Sequence, residues 1–518
     1  MKHELEPVFP NIKEQRQVIP KLSTANVREV AVPQEPTNKA RPSKQAYLVF
    51  AVVGLALLMA SIDSTIVAVG LPTLLTDLKT NLALVGWTMT GYQFAQSIIM
   101  PIGGKLSDEW GRKKLFLGAV GLFTLSSIAA GFAPNIYVLI LCRILQGIGG
   151  GTFLPSATGI VADAFGDRHR AQAIGMFGSI FPIGGILGPN LGGVILDNMS
   201  WHWIFFVNVP IGILLLICGS MWLPKGKQTI NSSNRKIDTT GLGLFVGAVF
   251  AALYGITNWA NSESGIGIAT IPLFATAAVF FYLFVRHESK TSHPMIDMRL
   301  LRWRPFAAVN VYNFLFGAVV FGVTSFIPYY ATVGYGMTPG QDGLLLTPRS
   351  ITMIVISAAT SLLIIRSGYR KPMIAGLGII AASLFFLSRG YHDISIMGVG
   401  IHSMVLLASM VALIGVGMGV ANPASNNAAL DLLPEQIAAA TGMRGMSRSV
   451  GGVLGTAAVT LILSYFPDKA RGMQDIYLGL AVIMLAIIPI VFIIPDTAAD
   501  RVRGRSKVRY DGQGGTVK

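Results

Sequence analysis

Long apolar runs, broken by short polar stretches that gather Lys, Arg, Gly and Pro, fill the chain from about residue 46 to residue 496. Fourteen can be traced: Ala46–Gly70, Leu84–Gly103, Leu115–Ala133, Ile136–Ile160, Ala171–Leu196, Ile204–Leu223, Thr240–Trp259, Ile266–Val285, Phe306–Tyr330, Gly343–Ile365, Pro372–Ser388, Ile396–Ala421, Thr441–Tyr465 and Ile476–Ile494. A helix of about 20 apolar residues crosses the hydrocarbon core of a bilayer. Only helices and closed barrels satisfy their backbone there, and these runs are too long and too uniformly apolar for barrel strands. The pattern predicts fourteen membrane-spanning helices. Residues 1–44 are polar and rich in Pro, Lys and Glu, and read as a mostly disordered cytoplasmic tail.

Composition agrees: 52% of the 518 residues are hydrophobic and 13% charged, about half the charge of a soluble domain. The net charge of +15 changes the picture only through its placement. With the N-terminus inside, Lys79, Arg389, Lys469 and Arg471 fall outside and Arg143 and Arg349 in or near the membrane, which leaves 34 of the 40 Lys and Arg on the inner side. That bias predicts both ends in the cytoplasm. The charge is then a topogenic signal, not a nucleic-acid footprint. Cys142 and Cys218 lie inside apolar runs and suggest neither a disulfide framework nor a metal site. No Walker loop is present, so ATP is not expected to drive the protein directly, and no enzyme chemistry is visible.

Within the fifth run, Gly184, Gly188 and Gly192 recur every four residues and share one helix face, with Pro189 and Gly193 beside them. A face without side chains admits a neighbouring backbone, and Pro189 bends the helix. Ordinary tight packing and a rocking contact both fit. The loop Gly104-Lys-Leu-Ser-Asp108-Glu-Trp-Gly111-Arg112-Lys-Lys places a carboxylate among cations at the membrane face, where Asp108 can pair with Arg112 or cap a helix. Arg366-Ser-Gly368-Tyr369-Arg370-Lys371 is a worn copy of its second half, and Gly451-Gly452-x-x-Gly455 echoes the glycine stripe. These repeats suggest two six-helix bundles. The expected divisions are a tail at 1–44, a first bundle at 45–223, a linker with two extra helices at 224–304, a second bundle at 305–496 and a basic cytoplasmic tail at 497–518.

Asp63 is the one carboxylate well inside the first run, and Arg143 lies early in the fourth with Gln146 one turn on. Ionisable groups at such depth are costly and mark function by default. A proton-binding acid tuned by a cation is one reading, a structural anchor the other. Asp342 and Arg349 are seven apart on one helix face and read equally as a gate pair or a helix-end anchor. Tyr92, Gln93, Gln96, Gln146, Asn310, Tyr312, Asn313 and Phe314 offer the aromatic and amide groups expected of a substrate cavity.

Several of these stretches resemble one family. Gly184-x-x-x-Gly188-Pro189-x-x-Gly192-Gly193 matches the fifth-span antiporter motif of the major facilitator superfamily, and the Gly104–Lys114 loop matches its signature loop. Arg143-x-x-Gln146-Gly147 resembles a further motif. Leu-x-x-x-x-Asp63-Ser-Thr-Ile-Val-Ala68-Val-Gly70-Leu-Pro resembles the first-span motif of fourteen-span drug/proton antiporters, with Ala68 for the usual Asn and Gly70 for the usual Ala. Trp201-His202-Trp203-x-Phe-x-x-Asn208-x-Pro resembles a motif with Arg at the His202 position. The chain is thus similar to the EmrB/QacA-like multidrug efflux transporters.

The resemblance implies an all-α major facilitator fold of fourteen helices, in two six-helix bundles plus two inserted ones. It implies export of drugs or other small amphipathic compounds by alternating access in the plasma membrane, hence antibiotic resistance. No cofactor is implied, the proton gradient being the drive. Proton coupling would fall to Asp63 and Arg143, and a conformational latch to Gly104, Asp108, Gly111 and Arg112. The expected partners are a small-molecule substrate, protons and the bilayer, for a protein working as a monomer; no long extracellular loop offers a dock for a periplasmic adaptor. Export of an endogenous lipid, siderophore or metabolite is the alternative within transport. A non-transporting receptor or sensor is the alternative outside it.

Overall fold

The computed structural model describes residues 43–178, 180–224, 238–262, 267, 270–291, 294, 296, 298–396, 399–433, 437–496, 509–510 and 516–517. Residues 1–42 of the expected tail at 1–44, the linker stretch 225–237, the rest of the C-terminal tail and the side chains of Lys105, Asp108 and Arg366 lie outside the described residues, while Ser43 and Lys44 already cap and open the first helix. The membrane helices are α1 (Lys44–Val69), α2 (Leu82–Trp110), α3 (Arg112–Gly131), α4 (Ile136–Gly166), α5 (Ile180–Asn198), α6 (Trp203–Trp222) and α7 (Thr239–Ala260). They continue as α8 (Thr270–Glu288), α9 (Arg304–Tyr335), α10 (Pro339–Ser367), α11 (Arg370–Leu387), α12 (Ser403–Leu432), α13 (Ile437–Ser464) and α14 (Lys469–Val491).

Thirteen of these, among the described residues, are long and apolar enough to cross a membrane. The remaining one, α2, is long enough at 29 residues; Thr88, Thr90, Gln93, Gln96 and Ser97 lower its hydropathy, and the first two are buried inside the protein. Large apolar side chains such as Leu125, Ile217, Leu362 and Val482 stand exposed on the outside of the helices, as lipid contact requires. The chain is a multi-pass membrane protein.

Local chemistry sets the helix ends. Ser43 Oγ accepts from Ala46 N at the start of α1, and Asn81 Oδ1 accepts from Leu84 N at the start of α2. Thr338 and Gln341 form a reciprocal capping box on α10. α4 ends at a kink where Gly166 takes φ 63°, and beyond it residues 167–178 and 180–198 are helical, which covers the expected fifth span from Ala171 to Leu196. Two expectations need correction. The twelfth begins at Ser403, not Ile396. The apolar stretch before it pairs as a hairpin of β1 (Ile394–Ile396) and β2 (Val399–Ile401), and Asp393 accepts the Ser403 N–H and hydroxyl. Those bonds hold the exposed Asp393 carboxyl below its ordinary range. Lastly, the Gly104–Lys114 loop is helical through Trp110, with a break only at Gly111, whose φ of 90° favours glycine.

The packing repeats. In the first six spans α1 lies on α5, α2 on α4, α3 on α4 and α3 on α6. In the last six α9 lies on α13, α10 on α12, α11 on α12 and α11 on α14. The halves meet where α5 packs on α10 and α2 on α13, while α7 and α8 pair with each other and α7 rests on α13 and α2. Trp87 Nε1 donates to Thr257 Oγ1 at 2.6 Å and Tyr465 Oη to Trp259 O at 2.9 Å, tying α7 to that seam.

The repeat extends to single residues. Arg112, after Gly111, bonds Asp163 on α4 at 2.6 Å; Tyr369, after Gly368, donates to Asp431 on α12 at 2.6 Å. The next residues cap the last helix of each half: Lys113 Nζ donates to the carbonyls of Ser220 and Leu223, and Arg370 to those of Phe492 and Ile494.

Candidate functional site

A sealed polar network lies inside the first half. Asp63 on α1 and Arg143 on α4 are 0% and 1% exposed, and Arg143 Nη1 meets Asp63 Oδ2 at 2.6 Å. The other carboxylate oxygen accepts from Asn208 Nδ2 on α6 at 2.7 Å and from Gln146 Nε2 on α4 at 3.2 Å. Arg143 also donates to Gln146 Oε1 and, through Nε, to Thr88 O on α2. Its guanidinium lies 4.2 Å from the centre of the Tyr92 ring, a cation–π contact that desolvation strengthens. Gln146 passes the chain of bonds on to Ser127 on α3 at 2.7 Å. Burying two charges costs several kcal/mol per ion unless the remaining donors and acceptors are met. Five helices share in meeting them here.

Sequence spacing singled out Asp63, Arg143 and Gln146, and the structure brings them together. It missed Asn208, Thr88 and Ser127. Asn208 stood in the tryptophan motif without a role; no periodicity could show that α6 turns its amide onto α1. Gln146 and Tyr92, expected in the substrate cavity, lie in this network, although the Tyr92 hydroxyl has no partner among the described residues. Gln93 and Gln96 are half-buried on α2.

The glycine motif has two faces. Gly184, Gly188 and Gly192 press against Ser61, Ile62, Thr65 and Ile66 of α1, so closely that a Cβ on Gly188 would meet the Ile62 carbonyl oxygen at 2.8 Å. Ser61 Oγ donates to Phe181 O at 2.6 Å and Thr65 Oγ1 to Gly184 O at 3.3 Å across the same contact. This stripe therefore grips its own half, on the stretch of α1 that carries Asp63. The opposite half is met by the neighbouring face, where Gly193 abuts Pro339 and Gly340, and Pro189 abuts Gly343. Three hydrogen bonds follow that seam: Gly340 N to Asp197 Oδ2 at 3.1 Å, Asn190 Nδ2 to Thr347 Oγ1 at 2.6 Å, and Ser350 Oγ to Gly185 O at 3.3 Å.

Other candidate residues fare differently. Asp342 and Arg349 are not bonded to each other in this structure. Asp342 is fully buried and accepts from Thr332 Oγ1 on α9 at 2.7 Å, and seven residues of helix separate the two by about 10 Å along the axis. Of the latch residues, Arg112 donates to Gly159 O and pairs with Asp163, both on α4 of its own half. Asp108 lies outside the described side chains, and Gly104 faces Pro155 of α4. His202 stacks on Trp201 at 3.9 Å; Trp203 is exposed as an interfacial residue should be, whereas Trp201 is buried.

In the second half, Asn310, Tyr312 and Asn313 are buried on α9 and Phe314 is half-buried. Arg444 Nη1 donates to Asn313 Oδ1 at 3.2 Å, and Arg448 Nη1 to Asn422 Oδ1 of α12 at 2.8 Å. Both arginines, counted in the sequence with the inner positive charge, lie within the α13 span.

The model of the Major Facilitator Superfamily matches residues 53–283 and 309–511. The Multidrug transporter protein MdtP of Bacillus subtilis is 28% identical over 429 residues, covering 83% of this chain and 77% of its own. Multidrug resistance protein 3 of the same organism is 32% identical, covering 85% and 83%. Among solved structures, a point mutant of the nucleoside transporter NupG superposes with a TM-score of 0.60 at 14% identity, covering 86% of this chain and 99% of that one, which speaks to the fold alone.

Proposed function

The chain belongs to the major facilitator superfamily and is a transporter akin to its multidrug exporters, and on that premise we propose that it exports small amphipathic compounds across the plasma membrane in exchange for protons. The observation that carries the reading is the ion pair of Asp63 and Arg143, sealed in the first half and joined through α1 to the glycine face of α5. A proton arriving at Asp63 Oδ2 removes the charge that Arg143 faces. A lone buried guanidinium is far costlier than the pair, so protonation favours any arrangement that opens the site to water or supplies another partner. α1 and α5 are interlocked at Ser61, Ile62 and Thr65, and the far face of α5 lies on α10. Strain at Asp63 thus reaches the seam between the two six-helix units, here read as the moving bodies.

With the N-terminus inside, the hydrogen bonds from Gly185 to Asp197 lie along the outer half of α5. The arrangement is then closed outside and faces the cytoplasm, and both tails are cytoplasmic. The drive is adequate: at about 100 mV and one pH unit a proton supplies about 3.7 kcal/mol, enough for a gradient of about 500-fold at one-for-one exchange.

The test is reconstitution in liposomes with an imposed pH gradient, following two amphipathic dyes of opposite charge, ethidium and fluorescein. Gradient-dependent movement of either dye, lost in Asp63→Asn, supports the reading. Movement that ignores the gradient, or a gradient effect that survives the substitution, refutes coupling at Asp63.

A further inference from the structure

The two halves treat cations within the spans differently. Arg143 has its carboxylate. Arg444 and Arg448, one helical turn apart on α13, have none: among the described residues no acid lies within ion-pair distance of either. Like charges at this spacing repel on a helix, and in a membrane interior the cost grows. Their side-chain acceptors are two amide oxygens, on Asn313 and Asn422. Donors are in surplus. Arg444 Nε is buried with no acceptor among the described residues, and so is the hydroxyl of Tyr312, whose residue is 1% exposed and on which both arginine charges act. Arg448 itself is only half-buried, so the cluster is not closed off. A constellation of donors short of acceptors among the described residues, with two positive charges that meet aromatic rings and amides but no acid there and a half-buried Phe314 one turn from Asn310, suits a ligand that brings negative oxygen on an aromatic body.

We propose that Arg444, Arg448 and Tyr312 form an anion-binding site in the second half, and that it takes the carboxylate, sulfonate or phenolate of an amphipathic organic anion. The guanidinium groups supply charge-assisted hydrogen bonds, and the Tyr312 hydroxyl supplies a neutral one. The proposal rests on the transport reading for its purpose, yet binding can be measured without a gradient. A phospholipid headgroup offers the same chemistry as a soluble anion, and the two are separable.

The experiment titrates the full-length protein, in phosphatidylcholine nanodiscs, with fluorescein and with its cationic relative rhodamine 6G, by fluorescence anisotropy. Wild type should bind fluorescein at least tenfold more tightly than rhodamine 6G. Arg448→Gln and Arg444→Gln should each weaken fluorescein at least tenfold and leave rhodamine 6G within about twofold, while Arg448→Lys, which keeps the charge, recovers part of the loss. Thermal unfolding checks that each variant is folded, and Arg448→Lys with Arg444→Gln suffices if Arg448→Gln is not. Displacement of fluorescein by dioctanoyl phosphatidylglycerol, but not by the matching phosphatidylcholine, would make a lipid headgroup the occupant; no displacement by either leaves a soluble anion, and both outcomes uphold the site. Equal affinity of wild type for the two dyes, or fluorescein binding unchanged in folded arginine variants, overturns it. Efflux that fails in liposomes while this binding persists would count against proton coupling and not against the anion site.

Discussion

Asn208 places its side-chain nitrogen 2.7 Å from Asp63 Oδ1, bringing the sixth span into an ion pair otherwise shared by the first and fourth. A hydrogen bond to a charged group contributes about 1.5–3 kcal/mol. Asn208→Ala should therefore lower the unfolding midpoint and slow gradient-driven efflux, with Asp63→Asn the more severe of the two because it strands Arg143. Thermal unfolding in detergent and dye efflux in liposomes read both effects. An Asn208→Ala protein as stable and active as wild type would remove α6 from the network.

The two faces of α5 should respond differently to added bulk. Gly188→Leu drives a side chain into Thr65 and the Ile62 carbonyl and should prevent stable folding, since overpacking alone costs about 1–3 kcal/mol and backbone cannot yield as a rotamer does. Gly193→Val instead meets Pro339 across the seam between halves. It should fold and hold that seam apart. Spin labels at Met199→Cys and Gln341→Cys would show a longer distance in Gly193→Val than in its parent. No change in that distance would mean that the seam yields elsewhere.

The repeated turns should differ in strength. Asp163 is 58% exposed where it meets Arg112, and exposed ion pairs contribute about 0–1 kcal/mol. Asp163→Ala should be nearly silent in thermal unfolding. Tyr369 is buried, and its hydroxyl gives a short bond to Asp431, so Tyr369→Phe should cost about 1.5–3 kcal/mol. The opposite ranking would show that burial does not set the order.

Asp342 and Arg349 should behave independently. A double-mutant cycle with Asp342→Ala and Arg349→Ala should give a coupling energy below about 0.5 kcal/mol, as for sites beyond direct contact. Thr332→Val should instead couple to Asp342→Ala, because their side chains share the 2.7 Å bond.

Much was legible in the chain itself. Hydrophobic runs near the length of a bilayer place the helices to within a few residues, because lipid leaves the backbone no other satisfied state. The clearest error came at an end: Ile396 looked like a span start because hydropathy cannot see a hairpin at Ile394–Ile401. Asp63 and Arg143 stood out because charge is rare in such runs.

What the sequence by itself determined, though Arg444 and Arg448 escaped it, is therefore the class of fold, the repeat, and that Asp63 and Arg143 lie in the membrane. Each is a property of composition along one dimension. Which groups meet was decided only by the tertiary structure: Asn208 on Asp63, Asp163 on Arg112, one glycine face on α1 and its neighbour on α10, and two arginines of α13 left without an acid among the described residues. Helix periodicity fixes the face a residue shares with its neighbours in sequence. The rotation and tilt of one helix against another, set by packing and by where small residues let backbones approach, fix its partners in space.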